Sequence, residues 1–464
     1  MANQTSKQEI SFGLNRRRFI YLSSMAASAM ALSGCTSPGP RFKLPSEKLN
    51  IAAIGVGGKG TSDIEGCAKE NIVALCDVDT NTLNRIAQKY PGAAKYQDYR
   101  EMFEKQKDID AVIISTTDHH HFLASMLAVQ NGQHIYCQKP LTHTIWEARK
   151  LTEAAGRKGV ATQMGNQGHA GDDIRVLCEM IWAGVIGDIR EVHSWTDRPI
   201  WPQGFSRPAG KDPVPSQIDW DLWIGPAPMR PFVAKWPEAQ VPDYKRAGGA
   251  IYHPFGWRGF WDFGCGALGD MGCHIMDAGV TALKLEAPTA VEPVEIVGVS
   301  EDMAPRASIL RYYFPARGAM PPVTFYWYDG GKKPAKPAEM EGAALEGSGT
   351  IFVGSKGKLL CDAYGRRPTL LPESRMKDLV KPARTLPRVP NNNPYDDWIR
   401  ACKGGPKACS NFDVAGPFTE TVLLGNLALR LNKRIEWDSK AMRATNAPEA
   451  APMIRREYRK GWNA

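Results

Sequence analysis

Residues 48–60, Lys-Leu-Asn-Ile-Ala-Ala-Ile-Gly-Val-Gly-Gly-Lys-Gly, decide the reading of the fold. A short apolar run that ends in glycines is the signature of a strand buried on both faces of a parallel sheet. Gly55-Val56-Gly57-Gly58-Lys59-Gly60 fits G-x-G-x-x-G, and a helix is predicted directly after it, over 61–70. A second strand over 72–76 ends at Asp77, 17 residues beyond Gly60. Each element has its own physical task. One glycine permits the tight turn, one lets backbone amides approach a pyrophosphate, and one lets the helix pack closely on the strand. The helix N-terminus then faces the anion. A carboxylate at Asp77 accepts hydrogen bonds from an adenosine ribose diol and repels a 2′-phosphate, which favours NAD over NADP.

Outward from this turn, further strands are predicted over 109–115, 133–137 and 160–164, with helices over 80–89, 122–131 and 144–157. Strands alternating with helices at this spacing imply a doubly wound parallel sheet. After Gly165 the pattern changes. A helix over 172–183 leads to a strand over 190–196, then to an irregular stretch, 198–263, rich in Pro, Gly and Trp. A helix over 269–285 follows, then strands over 294–300, 308–314, 323–328, 350–353 and 358–361, and late helices over 396–402 and 414–431. Successive strands without intervening helices imply a largely antiparallel sheet. The expected fold is therefore α/β: a Rossmann domain at 48–165 and a second, α+β domain at 166–464.

The first residues read as targeting rather than fold. Arg16-Arg17-Arg18-Phe19-Ile20, followed by a mildly apolar run too short for a membrane span, resembles a twin-arginine export signal. That run ends in Leu32-Ser33-Gly34-Cys35, which resembles a bacterial lipobox with Cys35 as the lipidated residue. The expected organisation is a signal at 1–34 and a Pro/Gly/Ser-rich tether at 35–47, on a periplasmic chain anchored to a bacterial membrane. Elsewhere no apolar run is long enough to cross a bilayer. Removing 1–34 takes away four Lys/Arg and one Glu and lowers the formal charge from +9 to +6. No dense basic tract with interleaved aromatics remains, so nucleic acid is not an expected partner. The ten cysteines sit mostly singly in apolar runs, as small buried hydrophobes do, and no disulfide framework is expected.

The third strand of this reading runs into Ser115-Thr116-Thr117-Asp118-His119-His120-His121. Adjacent histidines in a loop point in different directions, and no ligand set at familiar spacing completes a metal site. No metal is expected; Thr116, Thr117, His119 and His121 are read as lining the cofactor crevice at a strand's carboxyl end. Gly165-Asn166-Gln167, ending the fifth strand, offers Asn166 and Gln167 as amides for a carboxamide or a sugar, with a simple turn as the alternative. Asp270, His274 and Asp277 fall at i, i+4 and i+7, on one face of an otherwise small-residue helix. A histidine near neutrality suits removal of a hydroxyl proton, and a nearby ammonium stabilises alkoxide charge. Of the tryptophans in 198–263, one or two are expected to meet a sugar ring and the rest to pack; Trp201, with Arg198 and His253, is placed among the substrate contacts.

These motifs together resemble the glucose–fructose oxidoreductase/inositol dehydrogenase (Gfo/Idh/MocA) family over residues 48–440. The resemblance rests on the glycine turn with Asp77, on residues 116–121, on Gln138-Lys139-Pro140, and on Gly269-Asp270-Met271-Gly272-Cys273-His274. It implies that Lys139 contacts the substrate hydroxyl and nicotinamide ribose, that Asp270 and His274 hold the substrate, and that His274 is the acid/base. It also implies an open sheet in the second domain, through which members often oligomerise. One departure is Gln138, where the family usually has Glu. The expected function is NAD-dependent oxidation of a carbohydrate ring hydroxyl, such as C3 of a glycoside, with NAD held tightly and recycled in place. Alternatives are a redox-neutral, NAD-dependent glycosidase working through a 3-keto intermediate, and a lipoprotein that binds sugar or NAD without turnover. Retention of Lys139-Pro140 favours the dehydrogenase.

Overall fold

The computed structural model describes residues 39–237, 251–340, 342 and 344–463, so the expected signal and Cys35 lie outside the described residues. Residues 39–464 form one compact unit. Its first layer is built on six strands: β1 (Asn50–Ile54), β2 (Asn71–Cys76), β3 (Ala94–Tyr96), β4 (Ala111–Ile114), β5 (His134–Cys137) and β6 (Thr162–Met164). They lie in the order β3-β2-β1-β4-β5-β6, and every pairing is parallel. β4 and β5 are buried at every position, which is why they read as continuous apolar runs. β3 was not expected. Its three residues, Ala-Lys-Tyr, are half-exposed or exposed and carry no apolar run to betray them.

The strand order reverses between β1 and β4, which opens a crevice beyond their carboxyl ends. The glycine turn fills the start of that crevice. Gly55 has φ +77°, and a Cβ there would meet the Ser115 carbonyl oxygen at the end of β4 at 2.7 Å. Gly60, in the first turn of the helix Lys59–Gly66, would place a Cβ 1.8 Å from the Gly55 carbonyl oxygen. The turn can therefore close only with hydrogen at both positions. The next helix, Thr80–Ala87, starts under an Asp79 cap that accepts from the amides of Asn81 and Thr82. The helix Ile145–Lys158 starts in a capping box of Thr144 and Glu147 and ends at a left-handed Gly159.

The second layer is a nine-stranded sheet. Its strands are β7 (Ile189–Trp195), β8 (Ala290–Val297), β9 (Ala307–Phe314), β10 (Val323–Tyr328), β11 (Gly349–Gly354), β12 (Gly357–Asp362), β13 (Thr369–Leu371), β14 (Ile435–Asp438) and β15 (Arg443–Ala444). They run in the order β13-β12-β11-β7-β10-β9-β8-β14-β15, antiparallel except for β7 beside β10. β9 shows the period of two: Leu310, Tyr312 and Phe314 are buried, while Arg311 and Tyr313 face outward. The helices Gly266–Ala282 and Phe412–Leu431 cover the inner face. β8 starts at Ala290, earlier than its sequence indicates, because Pro293 is taken up in a bulge opposite β9.

The division at residues 165/166 does not partition the packing. Trp398 and Cys402, on the late helix Pro394–Cys402, share a core cluster with Leu49, Ile51 and Tyr136 of the first layer. The helix Phe412–Leu431 lies along Ile145–Lys158. The nine cysteines among the described residues are free thiols, and none of the described helices is long and apolar enough to cross a membrane.

Two glycine substitutions separate close approach from mere propensity. Gly60→Ala drives a methyl group into backbone and is expected to cost about 3 kcal/mol. Gly156→Ala, in a helix interior with nothing within 4 Å of the new methyl, is expected to stabilise by up to about 1 kcal/mol. Urea titration of both variants measures the contrast.

Candidate active site

One cavity of about 1080 Å³ runs along the crevice from Asp77 to His274, lined by both layers and by residues of the stretches 198–232 and 253–258. At one end, Gly55, Gly57 and Gly58 present backbone, and Asp77 is fixed by its own surroundings. Its Oδ2 accepts from the Val56 amide at 2.9 Å and its Oδ1 from the Asp79 amide at 3.0 Å. Burial raises its pKa, with those amide bonds opposing the rise. Gly60 does not reach the cavity and acts as the packing glycine.

Behind the turn lies a buried carboxylate that the sequence reading passed over. Asp63 accepts from Lys59 Nζ at 2.5 Å, Ser115 Oγ at 2.6 Å and Tyr395 OH at 2.7 Å, and Gln138 Nε2 donates to both of its oxygens, at 2.9 and 3.1 Å. This explains Gln138. A glutamate there would set a second carboxylate against one whose acceptor sites are filled, whereas the amide brings a donor. Lys59 lines the cavity, but its ammonium is already held by Asp63 and by Tyr395 OH at 2.9 Å.

At the other end, Lys139, in the turn after β5, donates from Nζ to Asp270 Oδ1 at 2.7 Å. Asp270 stands on the helix Gly266–Ala282, and Arg258 Nε lies 3.6 Å from the same oxygen. Burial alone would raise the Asp270 pKa, but the Lys139 and Arg258 charges and the Lys139 hydrogen bond outweigh it and hold the carboxyl at about 2. His274, one helical turn on, is pushed down to about 3 by burial and then by the Lys139 charge, so its imidazole is neutral. It meets Tyr364 edge-on, with ring centroids 5.2 Å apart. Asp118 completes the group. Its Oδ2 accepts from the Cys265 amide at 3.1 Å, and burial, only partly offset by Lys139 and Arg258, lifts its carboxyl to about 7. Arg258, Tyr364 and Asp118 all line the cavity, and none was singled out from sequence. Asp118 stood in plain view inside the Thr116–His121 string; Arg258 and Tyr364 lie in irregular segments with no motif.

The cavity brings together most of the expected residues: Thr116, Thr117, Gln138, Gln167, Arg198 and Trp201 line it with Lys139, Asp270 and His274. Five expectations are corrected. His119 is fully buried, with ring nitrogens 3.2 Å from the carbonyls of Phe263, Trp223 and Ile224. His121 is buried with Nδ1 2.8 Å from the Pro140 carbonyl, where it supports the turn that carries Lys139. The tight 3₁₀ turn Asp118–His120 aims these two inward and leaves His120 at the cavity. Asn166 is consumed at both ends, donating to Asp277 at 3.4 Å and accepting from Ser410 at 2.6 Å. Asp277 faces inward, with its Oδ1 2.9 Å from His169 Nδ1. It shares a helix face with Asp270 but lies roughly 10 Å further along the axis, so a common face is not a common site. His253 lines the cavity at the opposite end from Lys139, with Nε2 3.3 Å from Asp79 Oδ2. Trp220, Trp223, Trp236 and Trp257 form the hydrophobic cluster of the irregular stretch; Trp223 and Trp257 also border the cavity. No group of three or more His, Cys, Asp or Glu is arranged to hold a metal ion among the described residues.

Comparison with known proteins fits this geometry. Residues 49–166 match the Gfo/Idh/MocA model described as oxidoreductase family, NAD-binding Rossmann fold, and residues 200–297 match the model of that family's C-terminal α/β domain. Residues 49–166 and 200–297 thus carry the two domains of the Gfo/Idh/MocA oxidoreductase family. Inositol 2-dehydrogenase of Serratia proteamaculans is 25% identical over 182 residues, 38% of this chain and 54% of that protein. Glycosyl hydrolase family 109 protein 1 of Shewanella sp. (strain ANA-3) is 29% identical over 155 residues, 31% of this chain and 34% of that protein. The alignments thus span about half or less of these relatives' length. Among solved structures, the WlbA dehydrogenase from Bordetella pertussis in complex with NADH and UDP-GlcNAcA superposes with a TM-score of 0.57 at 14% identity, covering 84% of this chain and 99% of that one. GenD2 from gentamicin A biosynthesis, in complex with NAD, gives 0.55 at 16% identity, covering 87% and 100%.

Residues 49–166 are an NAD-binding Rossmann domain, and the side chains present fit that group. The glycine backbone is bare toward the cavity, Asp77 is oriented, and Gln167 Nε2 is a buried donor with no partner among the described residues.

Two substitutions test the electrostatics. The Asp118 carboxyl is held above its ordinary value in the folded chain, so its contribution to stability is fully present below about pH 4 and is lost as pH rises through about 7. Asp118→Asn should therefore leave the urea midpoint nearly unchanged at pH 4 and raise it at pH 8, by on the order of 4 kcal/mol at most. Gln138→Glu, which opposes Asp63, should destabilise by about 2 kcal/mol at pH 8.

Proposed function

We propose that this chain oxidises a ring hydroxyl of a carbohydrate, C3 of a glycoside being the specific version, with NAD as its cofactor. The observation that carries the reading is the single cavity joining the glycine turn and Asp77 to Lys139, Asp270 and His274. A separate nucleotide site and catalytic cluster would not serve one reaction; a shared cavity does. Gly55, Gly57 and Gly58 would hold the pyrophosphate, Asp77 the adenosine ribose diol, and Gln138 and Gln167 the nicotinamide half. When bound, NAD supplies the acceptor for the hydride that leaves the carbinol carbon.

The remaining chemistry belongs to the chain. The hydroxyl proton must leave as the carbonyl forms, and His274, neutral in its buried setting, is the base. Its low proton affinity rises as negative charge develops on the substrate oxygen beside it. Lys139 places an ammonium where that charge appears. Asp270, held ionised, orients Lys139 and would accept from a neighbouring sugar hydroxyl. Arg198, Trp201 and Tyr364 border the space left for the sugar.

A second reading is favoured by the family 109 glycosyl hydrolase match. In a redox-neutral glycosidase the same first step makes a 3-keto sugar, whose C2 proton is acidified enough to allow elimination of the aglycone. Export by the arginine-rich leader and anchoring at Cys35 belong to this proposal too, as does pairing through the outward face of the nine-stranded sheet, where His193 stacks on Tyr326 at 4.9 Å.

Incubation with plain glycosides and an artificial electron acceptor separates the readings. A keto-sugar product supports the dehydrogenase, and aglycone release without net reduction supports the glycosidase. Absence of both across a broad sugar panel leaves a binding protein. His274→Ala and Lys139→Ala are each expected to lower kcat by about 10²–10⁴-fold, with bound NAD per chain unchanged in His274→Ala.

A further inference from the structure

The edge of the parallel sheet opposite the crevice carries the start of the described chain. Pro40 lies 3.6 Å from where a Cβ on Gly159 would stand. The Arg41 amide donates to the Gly132 carbonyl at 3.2 Å, and its guanidinium donates to the carbonyls of Lys107 and Ile109 at 2.7 and 2.8 Å. Phe42 sets its ring 4.7 Å from that of His134, and Lys43 Nζ lies 3.5 Å from Asp110. A turn closes the segment: the Glu47 amide donates to the Leu44 carbonyl at 3.0 Å, and the Glu47 carboxylate accepts from the Leu44 amide at 2.9 Å. The partners of residues 40–43 directly precede or open β4, β5 and β6, so residues 40–47 form a strap across the amino ends of these strands. The crevice lies at the carboxyl ends, about 17 Å away along a strand of five residues such as β1.

The strap is pinned by its backbone and its cations, yet it leaves apolar side chains in water. Phe42 is 49% exposed and Leu44 66%. Single apolar side chains scattered over a surface need no explanation, whereas two on one fixed, short segment form a patch with a place in the fold. The same edge carries Lys107 and, in the last turn of the helix Ile145–Lys158, Arg157 and Lys158; Glu104 and Asp108 are exposed carboxylates beside them.

Three residues, Thr36, Ser37 and Pro38, separate Gly39 from Cys35, and four extended peptide units reach at most ~14 Å. We infer that Phe42 and Leu44 form a bilayer-contacting surface: they enter the interface of the membrane that anchors Cys35, so that the sheet stands with its amino edge on the bilayer and the crevice opens toward the aqueous side. This rests on the lipid-anchor reading of Cys35 and goes beyond it, because an anchor limits distance and leaves orientation free. The orientation selects the substrate's route. A water-soluble sugar enters the crevice directly, whereas a sugar carried on a membrane lipid is kept from Lys139 and His274 by the depth of the sheet.

The test is a lysine footprint of the lipidated chain, purified from membranes and placed on vesicles of phosphatidylcholine and phosphatidylglycerol. A membrane-impermeant acylating reagent is read out by peptide mass spectrometry. Lys43, Lys107 and Lys158 are expected to label at least about threefold more slowly on vesicles than in the Cys35→Ser chain free in solution. Lys460, exposed two residues before the cavity-lining Trp462, should label equally in both. Phe42→Ser/Leu44→Ser, with its lipid intact, should return the three edge lysines to the solution rate. Leu44→Ser alone, at the more exposed position, replaces the double variant if circular dichroism shows that the latter has lost its fold. Edge lysines that stay unprotected in lipidated, vesicle-bound wild type overturn the docking surface, as does protection that survives in the folded serine variants. Protection that appears without vesicles and grows with protein concentration makes this edge a contact between copies and overturns it too. A purified chain whose mass shows no lipid on Cys35 overturns the anchor reading instead.

Discussion

The site depends on the ion pair between Lys139 and Asp270, 2.7 Å apart and largely withdrawn from solvent. Its partners come from different layers, a strand end of the parallel sheet and the helix lining the antiparallel one. Such a pair contributes little net stability, because desolvating both charges offsets most of their attraction. Its value is the field it sets. The Lys139 charge helps hold Asp270 ionised, adds to the burial that keeps His274 neutral, and opposes the burial that lifts Asp118. A base, a cation and an acceptor thus coexist in one water-poor space because one ammonium is fixed among them.

The fold was largely readable because its governing patterns are local. Strands buried on both faces advertise themselves as apolar runs, and the glycine turn follows from the contact between Gly60 and Gly55. What escaped was short or set by partners distant in sequence. β3 and β13–β15 are brief and are held by pairing rather than propensity. The late helix carrying Trp398 covers the first layer, although nothing in its own residues says so.

The site divides the same way. Lys139, Asp270 and His274 stand in motifs whose spacing carries chemistry, and they meet in the cavity. His119 and His121 show the limit of reading a loop. Their type invited a cofactor role, but a 3₁₀ turn, which sequence did not reveal, points both into the core. Asn166 and Asp277 pair with each other, so their polarity serves packing between the layers. Gln138 is intelligible only beside Asp63, a residue 75 positions away whose carboxylate claims the amide.

In the proposed reaction His274 takes the hydroxyl proton as hydride leaves a ring carbon. The most direct measurement is single-turnover absorbance at 340 nm on mixing NAD-loaded enzyme with a plain glycoside and with its C3-deuterated form. A transient rise is expected for the wild-type chain, slower for the deuterated sugar, and no rise for His274→Ala carrying the same NAD. A rise of equal rate with both sugars, or an undiminished rise in His274→Ala, would contradict it.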